Sequence, residues 1–168
     1  SPPDARGFVS LGVSVDLAPA VLGVARQVIA EVNPAMPRTH GESFVHLDRF
    51  DALVNVDVPV TEYLHPQTGE IAERVARYIA SIIDDGATLQ IGLGRVPNEA
   101  LRHLRDRRNL GIHSDVITDG VLDMVEAGAV TGCRKTRHCG RIVASYCLGT
   151  RRLYDFVDDN PRLLFLPI

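Results

Sequence analysis

The chain has 168 residues, 45% of them hydrophobic, enough for one domain, or one and a half small ones, around a real core. A net charge of −3 and a pI near 6.0 give no reason to expect a nucleic-acid partner. Three cysteines without repeated spacing read as reduced thiols of a cytoplasmic protein, and no run approaches the roughly 18 apolar residues that argue for a membrane span.

Taken in order, "GFVSLGVSVD" (7–16) alternates apolar with small or polar residues and reads as a strand bent at Gly12. "APAVLGVARQ" (18–27) reads as a short helix with Pro19 in its first turn. "VIAEVN" (28–33) is a buried strand closed by Asn33-Pro34. A long loop with a short strand at 44–47 follows, then a strand over 52–60. In the loop, Arg38, His40 and Glu42 stand close together, suited to binding an anion or to bracing two parts of the fold.

"YLHPQTGE" (63–70) is a linker. Beyond it Ile71, Val75, Ile79, Ile82 and Ile83 recur at helical spacing, with charges at 70, 73, 74 and 77 opposite and Gly86 as the stop. Next come strand 88–93, helix 97–106 starting at Pro97, strand 110–116, helix 120–127, a loop rich in Gly, Arg and Lys, strand 141–149, helix 151–160 and strand 163–168. The Arg-rich run "LRHLRDRRN" reads as a solvated helix face. Strands alternating with helices of about ten residues mean βαβ units. The fold class is therefore α/β, with mostly parallel sheets flanked by helices. The chain divides into two partial domains, 1–62 and 63–168. An apolar run, "LLFLPI", at the very end suggests part of a longer chain.

Ligands in parallel α/β sheets bind beyond the carboxyl ends of the strands, and two loops qualify. In "QIGLGRVP" (90–97), Gly92 and Gly94 let the backbone turn sharply ahead of a helix N-terminus, an arrangement that favours an oxyanion. A GxG pair alone equally fits a plain tight turn, and Pro97 stands where a dinucleotide motif has its third glycine. In "NLGIHSDVITDG" (109–120), Ser114 and Asp115 arrive at the same sheet edge, with Asp119 ahead of the next helix. Asp119 suits a helix cap or first turn; Asp115 is either a loop carboxylate satisfied by N–H groups or a reacting group. Cys133, His138 and Cys139 fall short of the four ligands of a structural zinc site, so no metal is expected. Cys147, mid-strand, reads as a small buried apolar residue.

The segments "SPPDARGFVSLGVSVD", "VIAEVNPAMPRTHGESFVH", "DGATLQIGLGRVPNEAL", "NLGIHSDVITDGVLDMVEAGAVTG" and "GTRRLYDFVDDNP" resemble, in order and over nearly the whole chain, the acetyl-CoA hydrolase/transferase family, including 4-hydroxybutyrate and acetate CoA-transferases. The resemblance implies an internal piece: the end of the N-terminal domain (1–62) and the first part of the C-terminal one (63–168). It implies acyl-CoA and a small carboxylic acid as partners, with coenzyme A as substrate and no permanently bound cofactor. The remainder of the longer chain is a further implied partner, as is a homo-oligomer, and neither nucleic acid nor membrane is expected.

The resemblance also assigns Asp115 as the catalytic nucleophile and Gly92, Leu93, Gly94, Arg95 and Val96 as the CoA-lining loop. The carboxylate would attack the thioester to give a mixed anhydride, and released CoA thiolate would then form an enzyme–CoA thioester. Relatives carry Glu in a "GIH-[ST]-E" segment, and Asp is shorter. That withdraws the carboxylate by roughly 1–1.5 Å, where about 1 Å of misplacement can cost about a hundredfold in rate. A second departure is Cys139, where relatives tend to carry Pro. Asp115 acting as general base in an acyl-CoA hydrolase, or a silent binding fragment, are the alternatives. A sugar-phosphate isomerase is disfavoured, since fold alone does not give function. Little activity is expected of the chain standing alone.

Overall fold

The computed structural model describes residues 1–65 and 68–168. Strand β1 (Phe8–Ser10) pairs antiparallel with β3 (Phe44–His46), and β2 (Ile29–Val32) pairs parallel with β4 (Ala52–Asn55). Helix α1 (Ala18–Val24) lies between β1 and β2, and a single 3-10 turn, Leu47–Arg49, follows β3. The strands stop well short of the apolar runs that suggest them. Positive φ angles at Gly12 and Asp16 break the first run, and the last five residues of 52–60 leave the ladder.

Helix α2 (Glu70–Ser81) leads into β5 (Thr88–Leu89), α3 (Arg95–Arg102), β6 (Gly111–Ile112), β7 (Val116–Ile117) and α4 (Asp119–Glu126). Then come β8 (Ile142–Ala144), β9 (Tyr146–Cys147), α5 (Arg151–Val157) and β10 (Leu163–Phe165). The pairs β5–β6, β7–β9 and β8–β10 are all parallel, and a bridge between His113 and Val143 continues β6 onto β8. This is the mostly parallel α/β arrangement that the alternation of elements implies.

The core is the face shared by these strands with α3, α4 and α5: Leu104, Leu110, Ile112, Ile117, Met124, Leu153 and Phe165 are all nearly inaccessible. Val15 belongs to the same cluster, so the segment after β1 is anchored in it. Segment 38–42 is fastened to the chain's end. Phe165 N–H donates to His40 O, Arg38 N–H to Asp158, and His40 Nε2 lies 2.9 Å from Asp159 Oδ1. Bracing, not an open anion site, is what these residues do.

Helix α2 corrects the amphipathic reading. Its packed residues are Ala76 and Ala80, which let it lie close to α3, while Ile71, Tyr78 and Ile82 face outward. The Arg-rich run is also not a free polar face. Arg107 donates to the carbonyls of Ile83 and Ala80 at the end of α2, and Arg105 and Arg152 both pair with Asp123. The Arg107 bonds satisfy carbonyls at and just beyond the end of α2, of the kind a helix end leaves without intrahelical partners.

Candidate active site

Asp115 occupies the connection between β6 and β7, and the backbone holds it from several sides. Its carbonyl accepts the N–H groups of Ser145 and Tyr146, at 2.8 and 2.9 Å. The preceding residue, Ser114, is buried and donates its N–H to Val143 O. The Ser114 hydroxyl accepts the N–H of Ile91 at 2.9 Å and has two acceptors for its single proton, Ile91 O at 2.9 Å and Asp115 Oδ1 at 3.2 Å. Gln90 Nε2 donates to the same Oδ1 at 3.0 Å. The strand extension that begins the glycine loop is thus bonded directly to the carboxylate.

Above the carboxylate lies a cavity of about 300 Å³, walled on its polar side by Gln90, His113 and Ser145 and on its apolar side by Val143, Leu166 and Pro167. Partial burial raises the Asp115 carboxyl, but hydrogen bonds from Gln90, from backbone N–H groups and from Ser114 outweigh it and hold the group below the ordinary aspartate value. The result is an ionised carboxylate at the foot of a partly apolar recess. Tyr146 is pushed up by burial and by the nearby Asp115 and Asp16 charges. His113, exposed at the cavity rim, is held low by partial desolvation and then by Lys135, His138 and Arg137, which biases its imidazole towards the neutral form.

The predicted loop follows at once, although Gly92 to Val96 do not themselves line this cavity. A side chain at Gly92 would meet open space. Gly94, with φ of +139°, is the N-cap of α3, a conformation that a Cβ would strain. Leu93 is exposed. The helix starts at Arg95 and Val96, two residues before the expected Pro97, which occupies the first turn, where a missing N–H costs nothing. The N–H groups of this turn are the oxyanion donors that the region can offer.

Three parts of the site escape sequence reasoning. Gln90 reads as an ordinary strand residue until the fold brings it to Asp115. Ser114 reads as an edge polar residue rather than a buried link between two strands. Lys135 belongs to a loop whose charges suggest solvent, yet it is buried, and its Nζ donates to Ile112 O at 2.7 Å and Arg141 O at 2.8 Å. In that loop, Cys139 Sγ donates to Cys133 O, and Cys133 Sγ to Asn109 Oδ1. Cys147 is buried in β9, and burial drives its thiol strongly upward.

Residues 1–65 match the acetyl-CoA hydrolase/transferase N-terminal domain. The 4-hydroxybutyrate coenzyme A transferase of Clostridium kluyveri is 45% identical over 161 residues, which is 96% of this chain and 38% of that protein. The succinyl-CoA:cyclohexane-1-carboxylate CoA transferase of Geobacter metallireducens is 36% identical over 168 residues, 100% of this chain and 38% of its own length. Among solved structures, a 4-hydroxybutyrate CoA-transferase from Porphyromonas gingivalis superposes with a TM-score of 0.94 at 38% identity, covering 99% of this chain and 42% of that one. RipA from Yersinia pestis gives a TM-score of 0.93 at 36% identity, covering 99% and 39% respectively. The chain therefore spans about two fifths of the length of the relatives it matches. Residues 1–65 thus belong to the acetyl-CoA hydrolase/transferase family as its N-terminal domain, and over nearly all of its length the chain is similar to part of named CoA-transferases.

Proposed function

We propose that these residues are part of a CoA-transferase that moves coenzyme A between an acyl-CoA and a small carboxylic acid, with Asp115 as the acyl acceptor. The observation that carries this reading is the ionised Asp115 carboxylate, held at the foot of the cavity and bonded through Gln90 and Ser114 to the strand leading into the glycine loop. One carboxylate oxygen attacks the thioester carbonyl, the C–S bond breaks, and CoA leaves as thiolate. The thiolate then attacks the aspartyl carbonyl of the anhydride and expels the original acid. The incoming carboxylate takes CoA by the reverse steps. The N–H groups around Gly92, Leu93, Gly94, Arg95 and Val96 serve the oxyanion and the CoA chain. CoA is a substrate here, not a resident group.

In the same reading, residues 1–62 close one domain and 63–168 open the next. Ile71 and Tyr78 on α2, Ile82 at its C-cap and Val24 at the end of α1, all exposed, are covered by the remainder of a longer chain in a homo-oligomer. The match of the N-terminal domain family to residues 1–65 supports this division.

One observation favours acyl-CoA hydrolysis as the second reading. The Asp115 side chain is short and its Oδ1 is already engaged, while the cavity holds room for water between carboxylate and thioester. The two readings separate when the 168 residues replace their counterpart in the Clostridium kluyveri relative and the chimera receives acetyl-CoA with and without butyrate. Butyryl-CoA without net thiol release means transfer. Equal thiol release in both tubes means hydrolysis.

A further inference from the structure

Two donors from different parts of the chain converge on one oxygen of Asp115. Gln90 Nε2 stands 3.0 Å from Oδ1 and Ser114 Oγ 3.2 Å from the same atom, while no side-chain donor among the described residues meets Oδ2. The two donors are not equivalent. The Ser114 hydroxyl is held by the Ile91 N–H and divides its proton between Ile91 O and Asp115. Gln90 is exposed, and Asp115 is the one partner its side-chain amide has among the described residues. It also lies two residues before Gly92, at the point where strand β5 runs out into the loop.

We propose that Gln90 is a positioning residue: its amide clamps Oδ1 of Asp115 and presents Oδ2 to the cavity as the reacting oxygen. The proposal deepens the reading of Asp115 as acyl acceptor and rests on it for the word "reacting"; the clamp itself rests on geometry alone. An aspartate side chain has two oxygens that a χ2 rotation exchanges. A carboxylate that must attack in a fixed direction gains from having one oxygen tied, because orientation of the reacting atoms is a large part of the barrier. The amide also keeps the carboxylate ionised, since a hydrogen bond to the charged form favours that form. In the same position a carboxylate would do the reverse, setting two like charges on one proton.

Joining Asp115 to the residue that leads into Gly92 has a second consequence. Any movement of the loop towards a bound CoA thioester is felt at the carboxylate through the Gln90 hydrogen bond, beside the Ile91–Ser114 link. Gln90 thereby links the filling of the loop to the aim of the nucleophile.

The test uses the 168-residue chain with carbon-13 in its aspartate carboxyls. Carboxyl titration is followed by NMR in the wild type, Gln90→Ala and Gln90→Glu. Because Gln90 is exposed, all three are expected to fold, and the amide spectrum checks this. The clamp predicts that the Asp115 titration moves upward in Gln90→Ala and further upward in Gln90→Glu, with the other aspartates unmoved. At neutral pH, the side-chain amide protons of Gln90 exchange slowly with solvent in the wild type and rapidly in Asp115→Ala. A residue that merely packed would leave both readouts unchanged. Asp115 curves that superimpose in all three proteins, or Gln90 amide protons indifferent to Asp115→Ala, overturn the proposal.

The reacting-oxygen clause has its own arm. In the Clostridium kluyveri chimera, Gln90→Ala is expected to slow acyl transfer by roughly tenfold to a hundredfold, the cost of one lost hydrogen bond to a charged group, with KM for acetyl-CoA little changed. If the chimera shows no transfer although the Asp115 titration responds to Gln90, the nucleophile reading fails while the clamp stands. If transfer proceeds at an undiminished rate in Gln90→Ala, the positioning role fails while the nucleophile reading stands.

Discussion

The carboxylate of Asp119 accepts two hydrogen bonds from Thr150, one from its backbone N–H at 2.9 Å and one from its hydroxyl at 2.6 Å. Asp119 begins α4 and Thr150 is the N-cap of α5, so one side chain ties two helix N-termini together. Gly149 makes the approach possible, because a Cβ there would come within 2.3 Å of Asp119 Oδ2. The second aspartate of "NLGIHSDVITDG" is thus a capping group whose carboxylate is engaged by Thr150.

Asp119→Ala should therefore lower stability by about 1–2 kcal/mol, the usual cost of a lost N-terminal cap. Urea denaturation checks this, and the Asp115 carboxyl titration should stay in place in the same variant.

Lys135 is a buried cation whose visible partners are two backbone carbonyls, those of Ile112 and Arg141. It joins the end of β6 to the approach of β8, the two strands that flank the cavity. Replacing it by Met keeps much of the stem but strands both acceptors. Lys135→Met is expected to cost about 2 kcal/mol, the scale of hydrogen bonds made by charged groups, as measured by thermal or urea unfolding.

Alanine, not isoleucine, is the packed residue of α2. Ala80→Leu forces extra volume between α2 and α3 and should cost about 1–3 kcal/mol. Ile82→Ser, on the exposed face, should change the stability of this chain by no more than about 0.5 kcal/mol. The reverse ranking in paired unfolding curves would mean that the helix packs through its isoleucine stripe.

The pH dependence has a definite sign. His113 titrates below the ordinary value of 6.5 in the folded chain, so its neutral form is the one folding favours. Its contribution is complete above pH 6.5 and is lost as pH falls through the folded value. His113→Gln should flatten the part of the stability profile just below pH 6.5. Asp115, also depressed, contributes in the same direction, with a contribution complete above 3.8 and lost as pH falls through its folded value.

Much of this architecture was legible from local pattern. The βαβ alternation, the five helices and the strand edge that carries Ser114 and Asp115 all follow from periodicity and turn chemistry. Strand lengths did not follow, because several apolar runs continue past the residues that pair, as at 52–60, where the ladder ends at Asn55. Local pattern gave Asp119 to a helix first turn but left Asp115 open between a satisfied loop carboxylate and a reacting group; in the fold Asp115 leads into β7 and Asp119 begins α4. What distinguishes them is who arrives from elsewhere, Gln90 from 25 positions away at one and Thr150 from 31 at the other. The burial of Lys135 is hidden for the same reason, since its two carbonyl partners exist only once β6 and β8 lie side by side.

Transfer through Asp115 requires that its carboxyl become an acyl group during turnover. The direct measurement is borohydride reduction of the chimera during reaction with acetyl-CoA, followed by mass spectrometry of the peptide that contains residues 109–120. A carboxylate that has passed through an enzyme–CoA thioester is recovered as the alcohol, and the account predicts that change at Asp115 and at no other residue of the peptide. Asp115 recovered intact, from a sample that has released thiol and whose Asp115→Glu version is reduced, would contradict it and leave the aspartate as a base for water.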